Sequence, residues 1–445
     1  MICLNKKSRI LKTCICLLLI ILTFQESAFC LASEYFSQTY GHPQSNDFTS
    51  SILQDETDGS YLIVGSTIET SVNCSDAIIM KISGSFDVIW KKTFGGPLND
   101  GANDIIQTSD GGYAVIGYTD ILSKGDDAWL IKLDVNGDFQ WNKTFGGIGL
   151  DSIDSIIQTK DEGYALCGFT ESFGKSVHDA WFIRLDSEGN TLWMQTYGVS
   201  DYNEVISVIE TTDGGYALAG RTQCMDLGGL SFWAIKVDSF GNMQWNKLYG
   251  QKENDFAKLI SQTSDGGYTL LGSRFSYAFG NCSWLIKVNA LGVEQWNQTI
   301  RAFGENSKLA DAVKTSDSGY ALTGYSNTGE AWLTKVNSEG IIQWAEGYGK
   351  SGQNPLSVFQ SSDGQYLLGG IADLDVSADF LLVLTQKTDD FVPSNSNLSE
   401  HLSPTTTIES QNNLWLTLYV FIFLIALTFS GILRNFKKNH GYSNN

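Results

Sequence analysis

An aspartate followed three residues later by a tyrosine recurs seven times in this 445-residue chain: Asp58/Tyr61, Asp110/Tyr113, Asp161/Tyr164, Asp213/Tyr216, Asp265/Tyr268, Asp317/Tyr320 and Asp363/Tyr366. Successive tyrosines lie 52, 51, 52, 52, 52 and 46 residues apart. A period of that length marks a repeat architecture, in which each unit buries its apolar face against the next. A glycine stands four residues after each tyrosine, at Gly65, Gly117, Gly168, Gly220, Gly272, Gly324 and Gly370.

Each unit holds four short runs rich in β-branched and aromatic residues, the pattern of strands and not of a 3.6-residue helix. In the second unit they are Asp104 to Thr108, Tyr113 to Thr119, Ala128 to Asp134 and Phe139 to Phe145. Between the first and second runs sits SDGG, and between the third and fourth DVNG, both tight turns in which glycine supplies a positive φ. Four antiparallel strands in about 50 residues make one propeller blade. The last unit stops after its third strand, at Gln386, and the missing fourth strand stands at the other end of the chain, where Phe36 to Gly41 matches Trp141 to Gly146 position for position. Pairing the two ends in one blade hides the exposed strand edges. The expected fold is all-β: a seven-bladed β-propeller of four-stranded blades, its ring closed by the N-terminal strand, with a C-terminal transmembrane helix beyond it.

Eleven of the twelve tryptophans occupy two repeat positions. Trp129, Trp181, Trp233, Trp284 and Trp332 fall on third strands, and Trp90, Trp141, Trp193, Trp245, Trp296 and Trp344 open fourth strands. Large flat side chains recurring once per blade suit face-to-face sheet packing. The run Leu133-Asp134-Val135-Asn136-Gly137 with Trp141 four residues on resembles the tryptophan-docking motif of quinoprotein-type propellers. The fuller string, DAWLIKLD, a DxxG turn and then QWNKTFGG, is similar to the exported "beta-propeller repeat" surface proteins of bacteria and archaea, and this likeness spans about four-fifths of the chain. It implies an exported surface protein. Quinoprotein dehydrogenases carry eight blades and dedicated cofactor and calcium ligands. With seven blades and no loop resembling those sites, the cofactor does not carry over.

Residues 1–32 read as a secretory signal, with Lys6, Lys7, Arg9 and Lys12 ahead of the apolar run Thr13 to Phe24. The propeller is expected over 33–387 and a Ser/Thr/Asn/Pro-rich stalk over 388–413. Leu414 to Leu433 is twenty residues without a charge, enough for one membrane span. Arg434, Lys437 and Lys438 follow, so the tail 434–445 should be cytoplasmic and the propeller outside. The formal charge of the chain is −20, and setting aside the leader (+3) and the tail (+3) leaves −26 on the ectodomain. No basic stripe remains, which argues against nucleic acid as a partner and is compatible with divalent cations or cationic ligands.

Four cysteines lie beyond the leader, Cys74, Cys167, Cys224 and Cys282, without metal-ligand spacing. Cys167, mid-strand in YALCG, reads as a small buried hydrophobe, whereas Cys74 and Cys282 read as loop residues too far apart around the ring to be an obvious pair. Sequons stand at Asn73, Asn142, Asn281, Asn297 and Asn397.

Tight turns share one face of a propeller, and the longer variable loops share the other, where binding usually resides. At the start of the innermost strand one position reads Asp47, Asp100, Asp151, Asn203 and Asp255, then Ser307 and Gln353. A partial ring of carboxylates could hold calcium through oxygen ligands. The alternative is that each aspartate caps its own turn or bonds a neighbouring blade. Asp126, Asp127, His178, Asp179, Tyr202, Phe275 and Tyr277 are candidate binding-face residues, with His178 and Asp179 expected as a solvated pair. The turn aspartate and a third-strand base (Lys81, Lys132, Arg184, Lys236, Lys287, Lys335) recur in nearly every blade, so they should do structural work, as a turn bond or ion pair. No HExxH, GxSxG or paired-histidine spacing is present.

The expected function is a membrane-anchored surface module for binding, adhesion or envelope scaffolding, recognising a surface glycan or protein through its acidic variable face. The alternative is an extracellular enzyme with a site at the central channel, either a polysaccharide hydrolase or lyase or a quinoprotein-like oxidoreductase. A third is a sheath component that self-associates. Fold alone does not separate these.

Overall fold

The computed structural model describes residues 35–385, apart from 42–43, 70–73, 121–124, 225–228, 251–253, 277–279, 302–305, 328, 349–352 and 374–377. Seven four-stranded antiparallel sheets follow one another along the chain. Six are built from consecutive strands. The seventh pairs Tyr35–Tyr40 with Ala378–Thr385, in the register Tyr35 with Thr385 through Tyr40 with Phe380. The expected closure by the N-terminal strand is therefore present. Blade 1 begins at Ser45, blade 2 at Asp100, blade 3 at Asp151, blade 4 at Asn203, blade 5 at Asp255, blade 6 at Lys308 and blade 7 at Gln353. The leader, stalk, candidate span and tail lie outside the described residues. Among the described residues no helix is long and apolar enough to cross a membrane.

Inner strands of successive blades lie against one another all round the ring. A polar side chain at the end of each inner strand binds the turn of the preceding blade: Gln107 accepts from the Glu56 N–H (2.9 Å), Gln158 from Ser109 (2.8 Å) and Gln262 from Thr212 (2.9 Å). The same bond joins the last blade to the first, from the Ser362 N–H to Gln54 (3.0 Å), so the ring closes with the geometry of an ordinary blade junction.

Tryptophan does the packing between blades. The fourth-strand indoles rest on the turn tyrosine of the next blade, with centroid separations of 6.5 Å for Trp90–Tyr113, 6.2 Å for Trp141–Tyr164, 5.9 Å for Trp245–Tyr268 and 5.6 Å for Trp344–Tyr366. Each such pair contributes about 0.5–1.5 kcal/mol beyond the area it buries. The third-strand tryptophans Trp181, Trp233, Trp284 and Trp332 are buried in the sheet stacks. The recurrent turn acid and third-strand base meet as ion pairs, at 2.9 Å for Lys132–Asp110, 3.0 Å for Lys236–Asp213, 2.9 Å for Lys287–Asp265 and 2.7 Å for Lys335–Asp317, with Arg184 pairing Asp161 in the same place. Their role is structural, as their recurrence predicts.

One local expectation needs correction. Cys282 lies within the third strand of blade 5 (Gly280–Val288) and is buried, because strand pairing there runs outward past the expected loop boundary. Cys74, Cys167 and Cys282 are all free thiols.

The recurrent glycine of the second strand positions the channel. A β-carbon on Gly168 would stand 2.0 Å from the Ser152 carbonyl oxygen and 2.8 Å from Ile153 Cα. The inner strand approaches that closely because it carries a β-bulge, with Asp154 as the extra residue between Ile153 and Ser155. All seven blades repeat the shift opposite the same glycine. A bulge places two residues against one and shifts the alternation of faces. Burial therefore resumes at the second residue after the bulge, Ile156 in blade 3, and both bulge neighbours face away from the sheet stack.

Candidate functional site

Each bulge puts two side chains on the channel side of the innermost strand. The second of the pair ties the ring together: Asp311 accepts from the Val358 N–H of the next blade (3.0 Å), Ser207 from Ile260 N–H (3.2 Å), and Asp104 accepts from Ser51 Oγ of the preceding blade (2.8 Å). The first of the pair, the bulge residue itself, is half-buried in every blade and varies: Ser50, Asn103, Asp154, Ile206, Lys258, Ala310 and Leu356. Sevenfold symmetry thus breaks inside the channel, with a carboxylate in blade 3 and an ammonium in blade 5.

Asp154 is the exceptional group. Among the described residues its Oδ2 is sealed from solvent and accepts no hydrogen bond, and its side-chain partner is Ser152, whose hydroxyl reaches Oδ1 at 3.5 Å. Burial, reinforced by the charge of Glu204, pushes its carboxyl up to about 7, against the pull of Lys258 and Arg221. Asp104, the residue after the bulge in blade 2, is raised by burial of its carboxyl to about 6.

Above Asp154, toward the variable loops, planar groups from blades 3 to 5 stack in a column. The imidazole of His178 lies between Phe169 (centroids 3.9 Å apart, interplanar 18°) and Tyr202 (4.2 Å, 14°). The Arg221 guanidinium follows, 5.5 Å from the Tyr202 ring and 5.7 Å from that of Phe256. Arg221 Nε donates to Glu204 Oε2 (2.6 Å) and its Nη2 to the Tyr202 hydroxyl (3.1 Å), which itself donates to Glu204 Oε2 (3.2 Å). Glu204 Oε1 accepts nothing from the described residues. Backbone pairing builds the column, since Ser152 opposes Phe169 and Glu204 opposes Arg221, while His178 forms a parallel bridge to Tyr202 across the blade junction.

His178 and Asp179 are not a solvated pair: they are 7% and 3% exposed. Burial lowers the His178 pKa, Nδ1 sits 3.6 Å from Glu171, and Nε2 is sealed without a hydrogen bond. Asp179 points elsewhere, accepting from the backbone of Lys175 (2.7 Å) and Ser176 (3.0 Å) and from Asn203 Nδ2 (3.3 Å).

The four inner-strand aspartates, Asp47, Asp100, Asp151 and Asp255, are buried on separate blades. They engage their own surroundings. Asp100 accepts from Gly96 N–H (2.6 Å), Asp151 from Gly147 N–H (2.9 Å) and from the Thr170 and Ser172 hydroxyls, Asp47 from Ser45 (3.2 Å), and Asp255 lies 3.8 Å from Arg274. The Asp100 and Asp151 bonds are those of linker caps. Among the described residues no three His, Cys, Asp or Glu side chains converge as a metal site. The Asp126 carbonyl accepts from Asp151 N–H (2.7 Å), and Asp127 packs against Gly146. Phe275 sits at the rim of blade 5, bonded through its N–H to Asn254 (3.1 Å), and Tyr277 lies outside the described residues. Of the binding-face candidates among the described residues, His178 and Tyr202 stack against each other. Arg221, Phe169, Glu204, Phe256, Asp154 and Lys258 complete the cluster and were missed. Their signal in the sequence is irregularity at inner-strand positions (Asp154, Glu204, Phe256, Lys258) and at the facing second-strand positions (Phe169, Arg221).

No protein-family model matches the sequence, and no curated protein matches it. Solved structures similar to this chain include Sqt1 from Chaetomium thermophilum, at 10% identity and a TM-score of 0.48 over 77% of this chain and 97% of that one. YCF48 from Cyanidioschyzon merolae shows 11% identity and a TM-score of 0.45 over 81% and 99%. A family PL25 ulvan lyase, solved bound to -[GlcA(1-4)Rha3S]-, shows 10% identity and a TM-score of 0.48 over 78% and 95%. At these identities the likeness concerns the β-propeller fold.

Proposed function

We propose that this protein is an exported, membrane-anchored surface module that binds glycan at the variable-loop mouth of its central channel. The observation carrying this reading is the column Phe169–His178–Tyr202–Arg221–Phe256, a set of flat side chains at one sector of the ring in which His178 is buried, the others are half-buried, and Tyr202 and Arg221 carry hydrogen-bonding edges. Flat faces beside oriented polar groups are what a sugar ring requires, since it offers C–H faces and hydroxyl edges together. The placement of the chain ends supports an outward-facing site. Tyr35 pairs Thr385 at the tight-turn end of blade 7, so the chain enters and leaves the propeller opposite the candidate mouth. A C-terminal anchor would then tether the face with the tight turns and present the column to the surroundings.

The test is retention of the full chain, in detergent, on an array of neutral, amino and uronic oligosaccharides. Selective retention weakened at least tenfold (about 1.4 kcal/mol) by Tyr202→Ala is expected. Retention of no glycan, or retention indifferent to that substitution, overturns the reading.

A further inference from the structure

We propose that the tight-turn face of the propeller is a lipid-contact surface, whose rim of exposed apolar side chains rests on the membrane leaflet through which the chain is anchored. This rests on the membrane-anchored reading and adds a contact to it. Exposed large apolar side chains are unevenly placed among the described residues. Eleven of the eighteen stand at one repeat position, the turn between third and fourth strands and the opening residues of the fourth strand, so they form a ring at one end of the propeller and are not scattered over it. Ile89, Phe139, Leu192, Phe240, Leu291 and Ile341 represent blades 1 to 6, and Phe36 the closing strand of blade 7. Phe240 and Leu291, in the turns themselves, are 72% and 69% exposed. Blade packing does not require them, because the indoles just behind already cover the next blade's tyrosine. An apolar side chain kept in water by every blade marks an interaction surface.

Where the chain leaves the propeller says what covers this ring. Thr385 ends the third strand of blade 7 at the same face, and Leu414, the first residue of the uncharged stretch, follows 29 residues later. A flexible polar link of that length spans roughly 30 Å on average. A propeller so tethered meets the leaflet continually, and contacts too weak to hold a free protein persist at such an effective concentration. The half-buried indoles of Trp90, Trp141 and Trp193 stand behind the ring, at the level where indoles favour the head groups. Exposed acids share the rim, among them Asp138, Glu188 and Glu339, so neutral head groups suit it and anionic ones repel it. In this posture the channel mouth faces away from the leaflet.

The experiment reconstitutes the full chain in phosphatidylcholine vesicles and first establishes insertion by flotation. A bimane fluorophore is then placed through Phe240→Cys and, on the opposite face, through Ile148→Cys, a position 85% exposed in the connection between blades 2 and 3. The unsubstituted chain, labelled in parallel, supplies the background of the native thiols. With phosphatidylcholine spin-labelled just below its head group, quenching at position 240 should exceed that at position 148 at least about twofold. Replacing part of the phosphatidylcholine by phosphatidylglycerol should lower the excess. A second probe, Leu291→Cys, should show the same excess and lose it when Phe139→Glu and Phe240→Glu are added, both at exposed positions that leave the blade core untouched. Equal quenching at positions 240 and 148 in an inserted chain overturns the lipid contact and leaves the anchor standing. Shielding of position 240 in detergent without lipid that grows with protein concentration overturns it in favour of a second copy on this face. Failure to float removes the anchor and the contact together.

Discussion

Replacing Gly168 by alanine tests the link between the repeat glycine and the channel. The added methyl would meet Ser152 O at 2.0 Å, Ile153 Cα at 2.8 Å and Ser152 C at 2.9 Å, all backbone atoms of the bulged inner strand. No side chain can swing aside, so the two strands must part or the bulge must flatten. Overpacking costs about 1–3 kcal/mol where side chains can adjust. A backbone obstacle belongs at the upper end, and a broken ladder hydrogen bond adds about 1 kcal/mol. A loss of about 3–4 kcal/mol is expected, or a fall of roughly 4–5 °C in melting temperature for a domain of this size. The control is Gly214→Ala, at φ +79° with nothing within 4 Å of the new methyl. There only left-handed strain opposes the change, at about 1–2 kcal/mol. Tryptophan fluorescence melts of the two variants separate the mechanisms. If Gly168→Ala melts no lower than Gly214→Ala, close approach at the bulge is not why glycine recurs, and the account of how Asp154 reaches the channel fails with it.

Stability should peak on the acid side of neutrality. Asp104 and Asp154 are held near 6 and 7 when folded, so the native chain keeps protons that the unfolded chain releases above about pH 4, and stability falls as pH rises from there through 7. Asp110 and Asp213 act oppositely: burial opposes them, but Thr108 with Lys132, and Thr211 with Lys236, hold each at about 2, so their contribution is lost as pH falls from about 4 to 2. A melting temperature that stays flat from pH 5 to about pH 8 would refute the first half, and Asp154→Asn should flatten that limb. Deleting residues 35–40 leaves the third strand of blade 7 unpaired on its outer edge, so size-exclusion chromatography should show self-association. A monodisperse deletion variant melting like wild type would mean that closure is dispensable. Glu162, at φ 66° where every other blade but the sixth (Ser318) carries glycine, should tolerate Glu162→Gly with a gain of about 1 kcal/mol in a denaturant titration. Because the four inner-strand aspartates sit on separate blades and no three His, Cys, Asp or Glu side chains converge among the described residues, calcium should leave the melting temperature unchanged, and a concentration-dependent rise would restore the metal reading.

The architecture is legible in the sequence because each blade repeats the same physical requirements: a tyrosine under the next indole, a turn acid for a third-strand base, a glycine for the bulge. The orphan strand at Phe36 declares closure for the same reason, since one unit alone lacks its fourth member. The site is hidden by the same device that builds it. Strict alternation from Asp151 would put Ile153 in the sheet stack, Asp154 outside and Ser155 back in, yet the bulge sends Asp154 and Ser155 to one side and returns burial to Ile156. A one-residue slip reverses every face that follows it. Charged residues between a recurrent aspartate and a recurrent isoleucine therefore look like tolerated variation until the glycine opposite explains the bulge. His178 and Tyr202 are 24 residues apart on different blades, and their stacking depends on a bridge across the blade junction that no local pattern announces. Aligning the inner strands on their opposing glycine would have isolated Asp154 and Lys258 as the bulge residues with titratable side chains. In a propeller, the repeat shows where the channel lies, and departures from it at the bulge show which blades give the channel its chemistry.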